Sequence, residues 1–376
     1  MAHIEDRWFT TDESGARVPT ARSGKGLRWR ARWHLPTGDE QKKSFERKTD
    51  AERHLATVIS TIGSGDYVDP ARGRLTFGEF AETWYSSHRG AVEEKTAASY
   101  RSLLDAQILP VWGRVPLSGV RNVDVKRWLG NMRQAGMSIS RTRQSYAVLA
   151  MILDLAVQDG RIPKNESRGV KKPPVPSGKK HHYLTHAELR RLAEECGPYR
   201  TFVLFLGYTG LRWGEATALT VGDIDLKRHR VSVDKAFTEV NGRITLKDTK
   251  THGRRTVPVP RFLAEMLQPS LEGEKDSLVF ASPHGAPLRS GNFRRVVFDP
   301  AKRRLGIENM TPHGLRHTCA SLCVAAGAQV KTVQRMLGHK SASMTLDTYA
   351  DLFDGDLDAV ADALDVAASS GSSALL

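Results

Sequence analysis

The sequence predicts an α+β, multidomain protein. It has a small N-terminal β-sheet plus helix, an all-helical middle domain and a mostly helical C-terminal domain with a small β-sheet. Three observations predict this. The chain, at 376 residues, exceeds what one ordinary core organises. Two-residue alternation is confined to residues 27–45 and to three short runs after residue 229, and apolar spacing elsewhere is helical. Stretches rich in Gly, Pro and charge divide the chain at residues 63–74 and 161–182.

Within LRWRARWH, residues 27–34, Leu27, Trp29, Ala31 and Trp33 fall on one face of a strand. Arg28, Arg30, Arg32 and His34 fall on the other, which makes a half-buried strand with a cationic face. PTGD reads as a turn and QKKSF as the returning strand. Thr49 and Glu52 then fit a capping box opening a helix to about Ile62. Together these make a unit over residues 1–65.

A second capping box, Thr76 with Glu79, opens a helical domain over residues 75–163. Helical periodicity runs through FGEFAETWY, VDVKRWLGNM and SRTRQSYAVLAMILDLAVQ. Its polar faces carry Lys95, Arg101, Lys126, Arg127, Arg141 and Arg143. Residues 161–182 hold seven Lys or Arg against one Glu, with four prolines that keep the stretch extended. We read residues 164–182 as a basic linker whose Lys171, Lys172, Lys179 and Lys180 suit a phosphate backbone or serve only as a solvated hinge. The pair His181–His182 reads as linker polarity, not a metal site.

A third capping box, Thr185 with Glu188, starts the last domain, residues 183–365. Helices come first, FVLFLGY among them as a buried one, then β signals at RVSV, RITL and RTVPVP, then helices again. Residues 366–376 are a small-residue tail.

The formal charge is +14 and the pI about 9.8. From Asp347 onward there are seven Asp and no Lys, Arg or Glu, so residues 1–346 carry +21. A body so charged favours a polyanion, most simply nucleic acid. No apolar run suggests a membrane span. The three cysteines, Cys196, Cys319 and Cys323, cannot build a disulfide framework and suggest a reducing compartment. The start, MAHIEDRWFT, is acidic where a signal peptide is basic and then apolar, so no export is expected.

TGLRWGE places Arg212 and Glu215 one turn apart near a helix start. Lys250 falls at a bend between two apparent strands. TPHGLRHT places His313 and Arg316 one turn apart at another helix start, where anions are favoured. The apolar stripe of that helix includes Cys319 and Cys323, which suit core packing better than metal. VKTVQRMLGH closes a short helix at Gly338 and presents His339. Tyr349 follows in an amphipathic segment.

Two arginines, a lysine, two histidines and a tyrosine together suit transesterification at a phosphodiester. A phenol is a competent nucleophile at phosphorus. Two guanidiniums clamp the non-bridging oxygens bidentately where lysines act as point charges. A histidine holds a further oxygen and a lysine protonates the leaving alkoxide. No carboxylate cluster with metal-ligand spacing accompanies the set, so neither metal nor cofactor is expected.

The ordered series TGLRWGE, TKTHGRRTVPVP, HGLRH, LGH and Tyr349 resembles the signature of tyrosine recombinases of the phage-integrase family, over about residues 180–365. The resemblance implies Arg212 and Arg316 as the phosphate clamp, Lys250 as general acid and His313 as base or hydrogen-bond partner. It implies His339 as a second phosphate-binding histidine, Tyr349 as nucleophile and Glu215 as the residue steadying the arginines. Residues 75–163 resemble the family's core-binding domain, and residues 1–65 the small domain that binds arm-type sites. Gly214 and Ala216 stand where many relatives carry Ser and Leu, and Ala350 with Asp351 where a histidine is frequent.

The implied function is a site-specific integrase that integrates or excises a mobile element through a 3′-phosphotyrosine bond. Double-stranded DNA with core-type and arm-type sites is the implied partner, bound by a homotetramer in the cytoplasm of a bacterial host. A host DNA-bending protein and an excisionase-type directionality factor are the implied accessories. The alternatives are an Xer-type resolution recombinase, a type IB topoisomerase-like enzyme and a non-catalytic DNA-binding regulator.

Overall fold

The computed structural model describes residues 2–35, 38–63, 67, 72–174, 182–248, 254–349, 361–362, 364–366 and 368–369. It divides into two compact units, residues 1–175 and 176–376. About 53% of the described residues are helical, so helices form the framework and the sheets are local. Among the described residues no helix is long and apolar enough to cross a membrane.

The first unit opens with five short strands: β1 His3–Asp6, β2 Phe9–Thr11, β3 Arg17–Pro19, β4 Trp29–His34 and β5 Glu40–Phe45. β1, β4 and β5 form an antiparallel sheet in the order β1-β4-β5, and β2 with β3 is a separate hairpin. Ala31 and Trp33 of β4 are buried against Ala51, Leu55 and Val58 of helix α1, Lys48–Gly63. Leu27, expected on that buried face, precedes the strand and is 46% exposed. Helix α1 begins at Lys48, before Thr49, and Glu52 pairs with Lys48 at 3.5 Å, so the expected Thr49–Glu52 cap gives way to an i,i+4 ion pair.

The rest of the unit is helical. Helix α2, Phe77–His88, starts at the expected Thr76–Glu79 capping box. Helix α3, Glu94–Leu103, continues through a π turn at Leu104–Ile108 into α4, Leu109–Trp112. Pro110 lacks an N–H and clashes with the preceding turn, which accounts for the widened winding just before it. Helices α5, Asn122–Gln134, and α6, Ile139–Gln158, close a core of Phe77, Phe80, Trp84, Trp112, Trp128 and Tyr146. Residues 165–170, which composition assigns to the linker, pack onto this core. The Tyr146 hydroxyl donates to the Ser167 carbonyl at 2.7 Å, the Asn165 amide donates to the Ala150 carbonyl at 2.9 Å, and Val170 is buried.

The second unit opens at the expected Thr185–Glu188 box with α7, His186–Glu195, followed by α8, Arg200–Thr209, and α9, Trp213–Thr217. Helix α8 carries FVLFLGY and is central to the core, with Val203 and Phe205 fully buried. Five strands follow: β6 Ile224–Asp225, β7 Arg230–Val233, β8 Lys235–Val240, β9 Arg243–Asp248 and β10 Arg255–Pro258. β9 pairs with β8, whereas β10 pairs with β7. The two strands expected around Lys250 are present as β9 and β10, but they pair with different neighbours and are not the arms of one hairpin. Helices α10 Arg261–Leu267, α11 Ser290–Phe293, α12 Asp299–Arg304, α13 Gly314–Ala325, α14 Val330–Leu337 and α15 Ala342–Tyr349 follow.

Candidate active site

The site grows from the start of α9. Arg212 is the residue before that helix, and Glu215 is its third residue. The Arg212 backbone N–H donates to Glu215 Oε2 at 2.8 Å, and Arg212 Nη1 donates to Oε1 at 2.9 Å. The three-residue spacing seen in TGLRWGE thus satisfies an otherwise orphaned helix N–H and orients the arginine. Glu215 is 2% exposed. Arg255, from β10, reaches the same carboxylate with both arms, Nη1 to Oε1 at 3.0 Å and Nη2 to Oε2 at 2.6 Å. Burial would raise the Glu215 carboxyl, but the hydrogen bonds and charges of Arg255 and Arg212 outweigh it and hold it below its ordinary value.

A second convergence lies at the end of α14. Arg255 Nε donates to the Met336 carbonyl at 3.3 Å, Arg316 Nη2 to Leu337 at 2.6 Å and Arg212 Nη2 to Gly338 at 3.3 Å. These are carbonyls that a helix leaves without partners at its negative end. Gly338 ends the helix in the left-handed conformation, φ 67°, and a Cβ there would lie 3.0 Å from Arg255 Nε. Arg316 also donates to the Gly210 carbonyl at 2.6 Å and is 3% exposed. Burial, reinforced by repulsion from Arg212, lowers its guanidinium pKa to about 10.

Beyond Gly338 the chain presents His339, whose Nδ1 lies 2.9 Å from the Thr345 hydroxyl. The His339 ring stacks on Tyr349 with centroids 6.3 Å apart. Tyr349 ends α15 and is 1% exposed, its hydroxyl 2.9 Å from His317 Nδ1. Burial pushes the phenol up to about 12, with Arg316 pulling the other way. His313 is exposed, immediately before α13, and its ring is 5.0 Å from that of His317.

Arg212, Glu215, Arg316, His339 and Tyr349 are therefore gathered around one helix end. His313 stands one ring further out, and His317, not His313, touches the phenol. Lys250 lies outside the described residues. Arg255 and His317 were not expected from the sequence, although both sit inside the motifs THGRRTVPVP and HGLRH. Cys319 is buried and Cys323 half-buried, both as free thiols.

The expected DNA-contacting cations fall into two groups. Those of β4, and Arg28 just before it, face acids from the neighbouring strands: Arg28 meets Asp6 at 2.8 Å, Arg30 meets Glu5 at 3.7 Å, and Arg32 meets Glu5 at 2.8 Å and Glu40 at 3.0 Å. Hydrogen bonding to Arg28 holds the Asp6 carboxyl well below the usual range. Among the helices, Arg101 is taken by Asp105 and Glu82, and Arg127 by Asp124 at 2.8 Å. Arg141 donates to the Ser102 hydroxyl at 3.0 Å and Arg143 to the Pro173 carbonyl at 2.7 Å. Lys95, Lys126, Lys171 and Lys172 are exposed, with the Lys172 ammonium 5.4 Å from the Tyr146 ring centre. Lys179 and Lys180 lie outside the described residues.

Comparison with known proteins agrees with this architecture. The phage integrase family model matches residues 182–355, and the phage integrase central domain model matches residues 77–173. A putative prophage phiRv2 integrase of Mycobacterium tuberculosis is 30% identical over 335 residues, spanning 85% of this chain and 88% of the relative. The integrase of Mycobacterium phage D29 is 26% identical, spanning 81% and 84%. Among solved structures, a lambda integrase dimer bound to a COC′ core site has a similar fold, with TM-score 0.60, 18% identity and coverage of 91% of this chain and 94% of that one. The chain belongs to the phage integrase family. Its function is that of a tyrosine-type site-specific recombinase of the integrase kind.

Proposed function

We propose that Tyr349 is the nucleophile and that Arg212 and Arg316 clamp the scissile phosphate of the recombination site. The observation that carries this reading is the convergence of Arg212, Arg316, His339 and Tyr349 on the end of α14. The phenol oxygen attacks phosphorus, the bond to the 5′ oxygen breaks, and a 3′-phosphotyrosine bond forms. The 5′-hydroxyl of a partner strand then attacks that bond and releases the phenol. The two guanidiniums stabilise the charge that grows on the non-bridging oxygens, and His339 holds a further oxygen. Lys250 protonates the leaving 5′ oxygen, and His313 assists as base or hydrogen-bond partner.

A phenol only 1% exposed cannot meet a DNA strand, so α15 must shift when DNA binds. In this reading residues 75–163 grip core-type sites and residues 1–65 grip arm-type sites, as a homotetramer on two duplexes. The solved relatives include a lambda integrase tetramer bound to a Holliday junction, which supports that assembly by analogy of fold. A host DNA-bending protein and an excisionase-type factor are the proposed accessories.

The test traps protein on a nicked suicide duplex and maps the linked residue. Attachment at Tyr349, and its absence in Tyr349→Phe, is the expected result. An adduct that persists in Tyr349→Phe overturns the assignment. Deleting residues 1–65 is expected to abolish integration and leave core-site cleavage.

A further inference from the structure

We infer that Arg255 is a positioning residue for the recombination reaction: it takes up the charge of Glu215 so that the charge of Arg212 is left for the phosphate. The inference rests on the reading of Arg212 and Arg316 as the clamp. It is drawn from how one buried carboxylate is shared.

Glu215 pairs directly with Arg212 and Arg255, acts on Arg316 through its charge, and is 2% exposed. Arg255 meets both of its oxygens in a fork-to-fork pair at 3.0 and 2.6 Å, the geometry in which an arginine–carboxylate pair is strongest. Arg212 meets the same carboxylate with a single side-chain nitrogen, at 2.9 Å. Its other terminal nitrogen donates to the Gly338 carbonyl at the longer distance of 3.3 Å. The Arg255 side chain is 9% exposed whereas that of Arg212 is 34% exposed. Arg212 is thus presented to an incoming phosphate, and Arg255 is sealed behind it.

Among the described residues, the three guanidiniums Arg212, Arg255 and Arg316 and the one carboxylate Glu215 leave the cluster two positive charges. Without Arg255 one would remain, and the buried carboxylate would be left with Arg212 alone. A buried charge that loses its partner gathers the nearest opposite charge. Arg212 would then be neutralised by Glu215 at the moment it must bind phosphate.

Arg255 also donates from Nε to the Met336 carbonyl, next to the carbonyls held by Arg316 and Arg212. One side chain therefore ties β10, α9 and the end of α14 together, directly before His339. Lysine cannot reproduce this, because one ammonium cannot span two carboxylate oxygens and a carbonyl in a planar fork.

The experiment is single-turnover adduct formation by the full chain on a nicked suicide duplex at saturating DNA, with DNA affinity and thermal unfolding measured in parallel. Arg255→Gln is expected to slow adduct formation about 100-fold, the scale of a misplaced catalytic group, while its affinity for DNA changes less than about threefold. Adding Glu215→Gln removes the charge that Arg255 offsets, so the double variant is expected to recover at least about tenfold over Arg255→Gln. A residue that only braces the fold would give further loss on the second substitution. Arg255→Lys keeps a charge near Glu215 and is expected to fall between wild type and Arg255→Gln, which keeps the proposal testable should Arg255→Gln unfold. Wild-type rates in Arg255→Gln, or a double variant no faster than it with both folded, overturn the proposal. If Arg212→Gln still forms adduct at the wild-type rate, the clamp reading itself fails. If Arg212→Gln is inactive and Arg255→Gln is not, only the present inference fails.

Discussion

The hydroxyl of Tyr349 sits 2.9 Å from Nδ1 of His317, one residue after Arg316 on α13, in a position closed to solvent. This links the proposed nucleophile to the helix that supplies half of the proposed clamp. Its burial has a consequence for stability. Below the ordinary phenol value of 10.0, Tyr349 is protonated in both the folded and the unfolded chain. As pH rises from there toward the folded value of about 12, the unfolded chain ionises first and folding loses stability. Between about pH 9 and 12, wild type is expected to lose on the order of 2 kcal/mol more than Tyr349→Phe in urea unfolding. Identical pH dependence in the two proteins would show that Tyr349 is not buried in solution.

Arg316 makes a different demand. Its two terminal nitrogens each hold a backbone carbonyl at 2.6 Å, on Gly210 and on Leu337. Arg316→Lys keeps the charge, but a single ammonium serves the two carbonyls and a phosphate poorly. We expect adduct formation to fall by about 100-fold or more and stability by about 1–3 kcal/mol. Rapid-quench cleavage and denaturant unfolding check the two halves separately. A lysine variant with the wild-type rate would mean that charge alone suffices.

What the sequence disclosed and what it hid follow one physical line. Capping boxes at Thr76 and Thr185 were legible because the cap and its partner are three residues apart. The arginine, histidine and tyrosine motifs were legible because their order along the chain is distinctive. Arg255 was not, because its role depends on β10 pairing with β7 and on a carboxylate forty residues away. Strand β8 was missed although Asn241–Gly242, both at positive φ, is a strong two-residue hairpin signal. The cationic face of β4 was read correctly as a face, but the acids of β1 that neutralise it lie in a short polar strand without visible alternation.

That neutralisation separates the basic residues by experiment. A cation already held by protein carboxylates releases few counterions when DNA binds, whereas an exposed lysine that meets a phosphate releases about one. Substituting Lys95, Lys126, Lys171 or Lys172 by Ala is expected to lower the slope of log affinity against log salt by about 0.9 for each residue that meets a phosphate. Arg32→Ala, which loses pairs with Glu5 and Glu40, is expected to leave the slope almost unchanged and to lower the melting temperature of the N-terminal unit. Fluorescence anisotropy across a salt series measures the slopes. Equal slope changes for Arg32→Ala and the lysine variants would place the cationic strand face on DNA after all.

Gly214 tests how closely the clamp depends on its support. It lies in α9 between Arg212 and Glu215, and a Cβ there would meet the Phe237 carbonyl of β8 at 2.3 Å. Backbone cannot yield as a flexible side chain does, so even alanine must push α9 away from β8. That displacement moves Arg212 and Glu215 together, since both are fixed to the same short helix by the 2.8 Å and 2.9 Å bonds between them. Overpacking of this kind costs about 1–3 kcal/mol, and an ångström of misplacement at a reacting centre costs about 100-fold in rate. Gly214→Ala is therefore expected to fold, to bind DNA, and to form adduct about 100-fold more slowly. Serine should behave like alanine here because its Cβ meets the same carbonyl. Normal single-turnover cleavage by either variant would show that α9 and β8 stand further apart than their backbones indicate.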